Sequence, residues 1–453
     1  MKPHKFLLLI ILLPVFFGTH LGSQVAADEM TASTLLQSYF ADVATEKTVP
    51  MIDKAIVAFK AQQFAAARQL LDSARKTNPA LPPTGLLLAR MLFAANQPAA
   101  ARVELEKLVR DHPADPGAYL LLAELAIAES RFSEAKFALN ESKKLIDSFT
   151  ENEFRKNQMN TRTLLGLAAL EENQQDWAAA VKLLKSIDDG DSESSVVQAR
   201  LARALFKNKE TDAAYAVLKQ QWERNKDTTQ IPEITMAVYH RSAGDEETAK
   251  KLMKSVAADH PKNSRTQITV GQWALEVGEM ELAEQCADRA MTASDSSLQA
   301  RLMLALVLRY KGDYQAARKQ LEAAHLQSPA NLAAMLELSV VLSNIPGSEN
   351  LAIQYAQIAT KLQPDLRKPA GRGAAISLAW ILFRHGGEAE ALKIAKQVVE
   401  QGQISLESRF YLAMILMNSD RPAAKRILQE LINSKRAFPG LEQAKKVYEQ
   451  TDW

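Results

Sequence analysis

The sequence predicts an all-α fold, a solenoid of about eleven helix hairpins followed by a C-terminal capping helix. Small residues recur about every 34 positions, and within each unit apolar residues return every three to four positions. Gly and Pro number only 17 each among 453 residues, which favours helix over strand. With 24% charged and 47% hydrophobic residues, the composition excludes disorder along the whole chain, and the single Cys286 excludes a disulfide scaffold.

Residues 1–27 predict a secretory signal peptide. Lys2 and Lys5 precede an apolar run, Phe6 to Phe17, which is too short to span a bilayer and suits the apolar core of a signal. Small residues up to Ala27 predict cleavage after that position. We therefore expect an exported protein, with the bacterial periplasm as its destination and with secretion or an uncleaved membrane anchor as the alternatives. No later segment predicts a membrane span, and residues 28–47 predict a short lead-in helix.

The charge balance argues against a nucleic-acid partner. Removal of residues 1–27 takes away two lysines and no acid, which leaves 53 basic residues against 53 acidic ones. Nucleic-acid binders usually carry a basic excess. The predicted export signal points the same way.

Two series of small residues define the repeats over residues 48–436. The first series is Ala55, Ala89, Ala123, Ala168, Ala202, Ala237, Gly271, Ala305, Ser339, Ala379 and Ala413. The second is Ala67, Ala101, Ala135, Ala180, Ala214, Ala249, Ala283, Ala317, Ala352, Ala391 and Ala424. A small residue on each helix lets two backbones approach closely. One hairpin cannot cover its own apolar face, so the units must stack.

The spacing and the turn residues resemble the tetratricopeptide repeat family. The segment Lys311-Gly312-Asp313-Tyr314-Gln315-Ala316-Ala317-Arg318, with Pro329 closing the unit, is the cleanest match. The resemblance covers about residues 48–436. It implies a right-handed α-solenoid in which the first helix of each unit lines the concave face and binds extended peptides or partner helices.

Two longer steps interrupt the period. The 45-residue step carries an insertion near residues 150–160, where Thr150 and Glu153 have capping-box spacing. A lengthened hairpin and a partner-docking device are the two interpretations. The 40-residue step holds residues 364–373, predicted as a flexible basic loop that is either a solvated linker or a contact for an acidic partner or phosphate. Residues 437–453 predict the capping helix, whose polar face suits the end of a repeat array.

Chemistry-bearing motifs are scarce, so we expect no catalytic residues, metal or cofactor. The seven histidines never stand at metal-ligand spacing with another His or Cys. Ser73 and Lys76 match a Ser-x-x-Lys pattern, but they fall on a predicted second helix and the supporting motifs are absent. Cys286 is predicted to be a small packed thiol.

The resemblance assigns candidate partner-binding residues by their position on first helices. They are Arg90, Glu124, Arg203, Arg241, Gln272, Glu276, Arg309, Trp380 and Arg384. Five arginines suit bidentate contacts with carboxylates. Trp380 is either a packing residue or an aromatic anchor. The positions that grip a C-terminal carboxylate in one family subset are largely apolar here, which argues against that clamp.

Three functional hypotheses follow. The first is a non-enzymatic scaffold of the bacterial cell envelope that holds protein or peptide partners for assembly, secretion or polysaccharide export. The second is a glycan- or peptidoglycan-binding accessory of an envelope enzyme, which predicts exposed aromatic residues in a groove. The third, the soluble half of an outer-membrane exporter, requires a barrel on a separate polypeptide.

Overall fold

The computed structural model describes residues 48–150, 153–187, 195–226, 230–294, 297–434 and 436–451. Within these ranges the chain forms 23 α-helices and no strand, so the all-α prediction is confirmed. The predicted signal peptide and lead-in helix lie outside the described residues. No helix within those ranges is both long and apolar enough to cross a bilayer.

The helices alternate as first and second members of eleven hairpins, with one helix more at the end. The first helices are α1 Val49–Lys60, α3 Thr84–Ala94, α5 Pro116–Ala128, α7 Glu153–Gln174, α9 Ser195–Lys207, α11 Pro232–Ser242, α13 Ser264–Val277, α15 Leu298–Tyr310, α17 Leu332–Leu342, α19 Pro369–Arg384 and α21 Leu406–Leu416. The second helices are α2 Phe64–Thr77, α4 Pro98–Asp111, α6 Phe132–Ser148, α8 Trp177–Lys185, α10 Thr211–Arg224, α12 Glu246–Asp259, α14 Met280–Ala293, α16 Tyr314–Gln327, α18 Glu349–Leu362, α20 Glu388–Glu400 and α22 Arg421–Asn433. The last helix, α23, is Leu441–Gln450.

The chain divides into two compact units between Thr235 and Met236, within α11. In both units the core runs along the hairpins, where the predicted small residues lie. Every alanine of the second series has no exposed surface, and every member of the first series is buried. Larger side chains at these crossings would hold the paired helices apart.

One hairpin turn of the second unit shows how a glycine and an aspartate shape the chain locally. In the turn before α16, Gly312 takes a left-handed conformation with φ of 78°, and the Asp313 carboxylate accepts a hydrogen bond from the Ala316 amide over 3.0 Å. Gly removes the steric cost of that conformation, and Asp satisfies one unpaired amide of the helix start. A glycine followed by an aspartate therefore allows α15 to end and α16 to begin with only three residues between them.

The 45-residue step in the first unit is accommodated by longer helices. Helix α6 has 17 residues and α7 has 22, against 11 to 14 in most other repeats. Arg155, near the start of α7, is buried and donates from Nη2 to both carboxylate oxygens of Asp115 over 2.7 and 2.8 Å. Part of the predicted capping box, residues 151 and 152, lies outside the described residues.

The flexible-loop prediction for residues 364–373 is wrong in its second half. Helix α19 begins at Pro369, a residue favoured in a first helical turn. Arg372 is buried, and its guanidinium donates to the carbonyl oxygens of Leu366, Arg367 and Gln403. The guanidinium therefore stabilises the segment before α19, because several backbone carbonyl groups accept hydrogen bonds from this one side chain.

Candidate functional site

All nine predicted partner-binding residues lie on first helices. We call the surface formed by the first helices of one unit its first-helix face. Gln272, Glu276 and Arg384 are exposed on it, whereas Arg90, Arg203 and Arg241 are half-buried. Glu124, Arg309 and Trp380 are buried and make their contacts inside the protein. A partner-binding role for any of the nine stays a prediction.

In the first unit, buried ion pairs join successive first helices. Glu124 on α5 pairs with Arg162 on α7. Further along α7, Glu172 Oε1 accepts from the guanidinium of Arg200 on α9, with an Nη2 to Oε1 distance of 3.0 Å. Loss of one partner from such a pair would leave a buried charge uncompensated. These residues therefore fix the register of neighbouring repeats.

In the second unit, Arg309 lies between two carboxylates. Its Nε is 2.9 Å from Glu337 Oε2, and its Nη1 donates to Glu407 Oε1 over 2.6 Å. The Tyr411 hydroxyl also donates to Glu407 Oε1, over 2.5 Å. The four side chains come from α15, α17 and α21, so this cluster links three repeats.

Burial and charge shape the pKa values in this cluster. Burial raises the pKa of the Glu337 carboxyl, although Arg309 acts in the opposite direction. Burial, followed by the charge of Glu407, raises the pKa of the Tyr411 hydroxyl well above its usual value. Burial alone would lower the pKa of Arg309. The charges of Glu337 and Glu407 outweigh this effect and raise the pKa above its usual value, so the guanidinium stays charged. A permanent central cation therefore holds the two carboxylates together.

A second charged group lies at the end of α13. The Glu276 carboxylate is 3.3 Å from Arg241 Nη1 and 3.2 Å from Arg436 Nη2. Both contacts are at the surface, where an ion pair contributes roughly 0–1 kcal/mol. This group is therefore weakly held and open to solvent, unlike the Arg309 cluster.

Trp380 belongs to a packed aromatic group. Its ring stacks on Tyr411 with a centroid distance of 5.0 Å and an interplanar angle of 7°, and Phe383 and Phe410 lie 6.0 Å away. The Arg384 guanidinium lies 5.7 Å from the Trp380 ring centroid. Of the two interpretations of Trp380, the packing residue agrees with this burial.

Sequence reasoning missed Glu337, Glu407, Tyr411, Arg436 and Phe438. Glu407 lies six positions before Ala413, whereas the nine candidates lie one, four or five positions after the small residue of their helix, so the position rule did not include it. Arg436 and Phe438 follow the last repeat, where no period exists to place them. Only the fold brings them to the first-helix face.

Metal and thiol chemistry find little support in the described part of the chain. No three His, Cys, Asp or Glu side chains there are grouped to hold a metal ion. Cys286 is fully buried, and burial raises the pKa of its thiol to about 11. Its thiolate form is scarce at neutral pH, which agrees with a packing role.

The comparisons with known proteins agree with the repeat architecture. Tetratricopeptide repeat family models match residues 58–116, 92–144 and 173–232, and a second such model matches residues 302–344. The class is therefore that of helical repeat proteins with extended first-helix faces. The matched segments are tetratricopeptide repeats, and their fold supports a protein–protein interaction scaffold.

Solved structures of similar fold include yeast Tom70, at 14% identity and a TM-score of 0.38, covering 89% of this chain and 95% of that one. The thermophilic tetratricopeptide protein TTC0263 of Thermus thermophilus is 16% identical with a TM-score of 0.34, over 41% of this chain and 97% of that one. The human IFIT1 dimer with m7Gppp-AAAA is 14% identical with a TM-score of 0.39, over 77% and 85%. At these identities the similarity concerns the fold alone. No curated protein matches this sequence significantly.

Proposed function

We propose that this protein is a non-enzymatic scaffold of the bacterial cell envelope that holds protein or peptide partners along its first-helix faces. The observation that carries the proposal is the exposed polar surface of the second unit. Gln272, Glu276 and Arg384 offer an amide, a carboxylate and a guanidinium on first helices, beside half-buried Arg241. Such mixed charges suit the main chain and the side chains of a peptide.

The cellular part of the proposal rests on the N-terminal sequence. A basic start, an apolar run and small residues up to Ala27 support export, with the periplasm as the site of action. The chemistry-poor motif content supports a binding role without catalysis. Assembly, secretion or polysaccharide export are the processes in which an exported scaffold of this kind would serve.

The glycan-binding alternative gains nothing specific from the aromatic residues of the second unit. Sugar recognition would require aromatic faces open to a ligand. The aromatic group around Trp380, with Phe410 and Tyr411, is buried among other side chains. The burial of these aromatic rings favours the protein-binding scaffold over the glycan-binding alternative.

Site-specific photo-crosslinking in the native cell tests the proposal. A photoreactive residue replaces Gln272 or Arg203 on first helices, and exposed Lys319 on second helix α16 serves as the matched control. Recurrent capture of one envelope protein from the first-helix positions, and not from position 319, is the expected result. Equal capture from all three positions, or co-purification of a sugar polymer with no protein adduct, would contradict it.

A further inference from the structure

The segment after the last repeat folds back onto the first-helix face of the second unit. We call residues 436–440, between α22 and α23, the C-terminal strap. The Ala437 amide donates to the carbonyl oxygen of Glu276 over 3.0 Å, although the two residues are about 160 positions apart. Arg436 Nη2 donates to the carboxylate of the same Glu276 over 3.2 Å. The strap therefore contacts α13, a helix that lies four repeats before the last repeat.

The strap occupies a position that helix α13 leaves open. Glu276 lies in the last turn of α13, where carbonyl oxygens lack partners within the helix. The Ala437 amide satisfies one of them. A side chain at Gly278, the next turn residue, would approach the Ala437 methyl group to 3.8 Å, so the two segments run close together.

Phe438 anchors the strap at its other end. Its side chain is 5% exposed, and its ring centroid lies 6.1 Å from that of Phe410 on first helix α21. Gly440 follows with φ of 100°, and a Cβ there would come within 2.9 Å of the Phe410 ring. The backbone can pass over Phe410 only because position 440 has no side chain.

Three kinds of contact thus hold an extended segment on this face. They are a cation on the exposed carboxylate of Glu276, a main-chain amide on a helix-end carbonyl, and an aromatic ring against Phe410. The first is solvent-exposed and weak. None of the three requires that the segment belong to the same chain.

We propose that the strap is an internal ligand, and that the partner of the second unit carries an extended segment with a basic residue followed two positions later by an aromatic residue. This segment binds by replacing Arg436, Ala437 and Phe438 on Glu276 and Phe410. The inference rests on the proposed function, because it names the partner chemistry of the same first-helix face.

Competition by the strap sets the apparent affinity. A partner binds only molecules whose strap is released, so the observed dissociation constant exceeds the intrinsic one by the inverse of the released fraction. A substitution that weakens the strap must therefore strengthen binding in trans. A purely structural strap would give the opposite result or none, because its loss would only disturb the face.

A peptide with the sequence of residues 434–441 is the probe, labelled with fluorescein and titrated with the full chain. We expect Phe438→Ser to tighten peptide binding at least tenfold relative to the wild type. Phe137→Ser, which removes an exposed phenylalanine from α6 in the first unit, is the matched control and should leave the affinity unchanged. Adding Glu276→Gln to Phe438→Ser should weaken binding several-fold, and a peptide with serine in place of phenylalanine should not bind.

Circular dichroism shows whether Phe438→Ser keeps its helices. If it does not, Arg436→Gln replaces it, because this change removes only an exposed ion pair. A twofold to fivefold gain is then expected, with exposed Lys446→Gln on α23 as the control. Equal peptide affinity for the wild type and the strap variants, or no binding to either, would overturn the inference.

Light scattering tests the remaining possibility, that the strap of a second copy of this chain occupies the face. A wild-type dimer that dissociates on Phe438→Ser would assign the face to the strap of a second copy and would also overturn the inference. Capture of an envelope protein from position 272, together with failed peptide binding, leaves the scaffold function standing and removes only the strap chemistry. Peptide binding without capture of an envelope protein would support the strap chemistry and count against the scaffold function.

Discussion

Arg309 and Glu407 are 98 positions apart, yet the guanidinium of the first donates to both carboxylate oxygens of the second over 2.6 and 3.1 Å. The contact spans four repeats of the second unit, from α15 to α21. A repeat array is held together mainly by contacts between adjacent units. This ion pair adds a long-range restraint that neighbour stacking alone does not supply.

Removal of the central cation should destabilise the second unit. In Arg309→Leu, Glu337 and Glu407 face each other without their buried counter-charge, so we expect a loss of about 3–5 kcal/mol. Urea unfolding followed by circular dichroism measures it. Arg318→Leu, which removes an exposed ion pair with Glu322 on α16, is the control and should change stability by less than about 1 kcal/mol. Equal effects of the two substitutions would refute a structural role for the cluster.

Glu279 should give the second unit an acid-sensitive contribution to stability. Its hydrogen bond with Lys250 is the largest cause that lowers its pKa below the usual 4.5, and Lys254 acts in the same direction. The folded state therefore binds this proton less tightly than the unfolded state. Stability from the group is present above pH 4.5 and is lost as pH falls through the folded pKa.

The variant Glu279→Gln tests this dependence. It should be less stable than the wild type by about 0.5–1 kcal/mol at pH 7. The difference should shrink as the pH falls from 4.5 towards 3, because the wild-type carboxyl becomes protonated as the pH passes through its folded pKa. Urea unfolding at both pH values measures the difference, and a difference that persists unchanged at pH 3 would exclude an ionic origin.

Two glycines in the first turns of α19 should respond oppositely to alanine. A Cβ at Gly371 would lie 2.3 Å from the carbonyl oxygen of Asp365, which is backbone and cannot move freely, whereas a Cβ at Gly373 meets nothing within 4 Å. Gly371→Ala should therefore cost more than about 2 kcal/mol through overpacking. Gly373→Ala should stabilise the protein by up to about 1 kcal/mol through helix propensity. Thermal unfolding of both variants measures these changes. Similar shifts of the two midpoint temperatures would show that residue 371 is not closely packed.

The two glycines also mark where sequence reasoning stopped. The repeat spacing predicted eleven helix pairs, because a small residue at each helix crossing is a local requirement that recurs with the period. Gly371, Arg372 and Gly373 stood outside the period and were interpreted from composition as a flexible basic loop. Their helical state depends on backbone acceptors near Leu366 and Gln403, which no local pattern reveals.

The site shows the same division. The position rule placed all nine candidate residues on first helices, but it could not tell which were covered. Burial of Arg309 depends on Glu407, and the environment of Glu276 depends on Arg436, 160 positions away. Pairing over such distances is set by how the repeats of the unit stack, and a period of 34 residues contains no information on it.

The hairpin turns of the two units differ in a way that predicts stability. Five turns of the first unit place a residue with a side chain in the left-handed conformation, with φ between 56° and 67°: Gln62, Asn96, Ser130, Gln175 and Lys209. Five turns of the second unit use glycine there: Gly244, Gly278, Gly312, Gly347 and Gly386. A side chain in this conformation costs roughly 1–2 kcal/mol.

Lys209→Gly should therefore stabilise the first unit by about 0.5 kcal/mol, because relief of the backbone strain outweighs the added entropy of the unfolded chain. Asn96→Gly should gain less, since asparagine tolerates this conformation. Gly244→Ala should destabilise the second unit by about 1 kcal/mol through the backbone alone, because its Cβ would meet nothing within 4 Å. Urea midpoints of the three variants measure these changes. An unchanged midpoint for Gly244→Ala would mean that the turn rearranges, and the gain predicted for Lys209→Gly would then disappear as well.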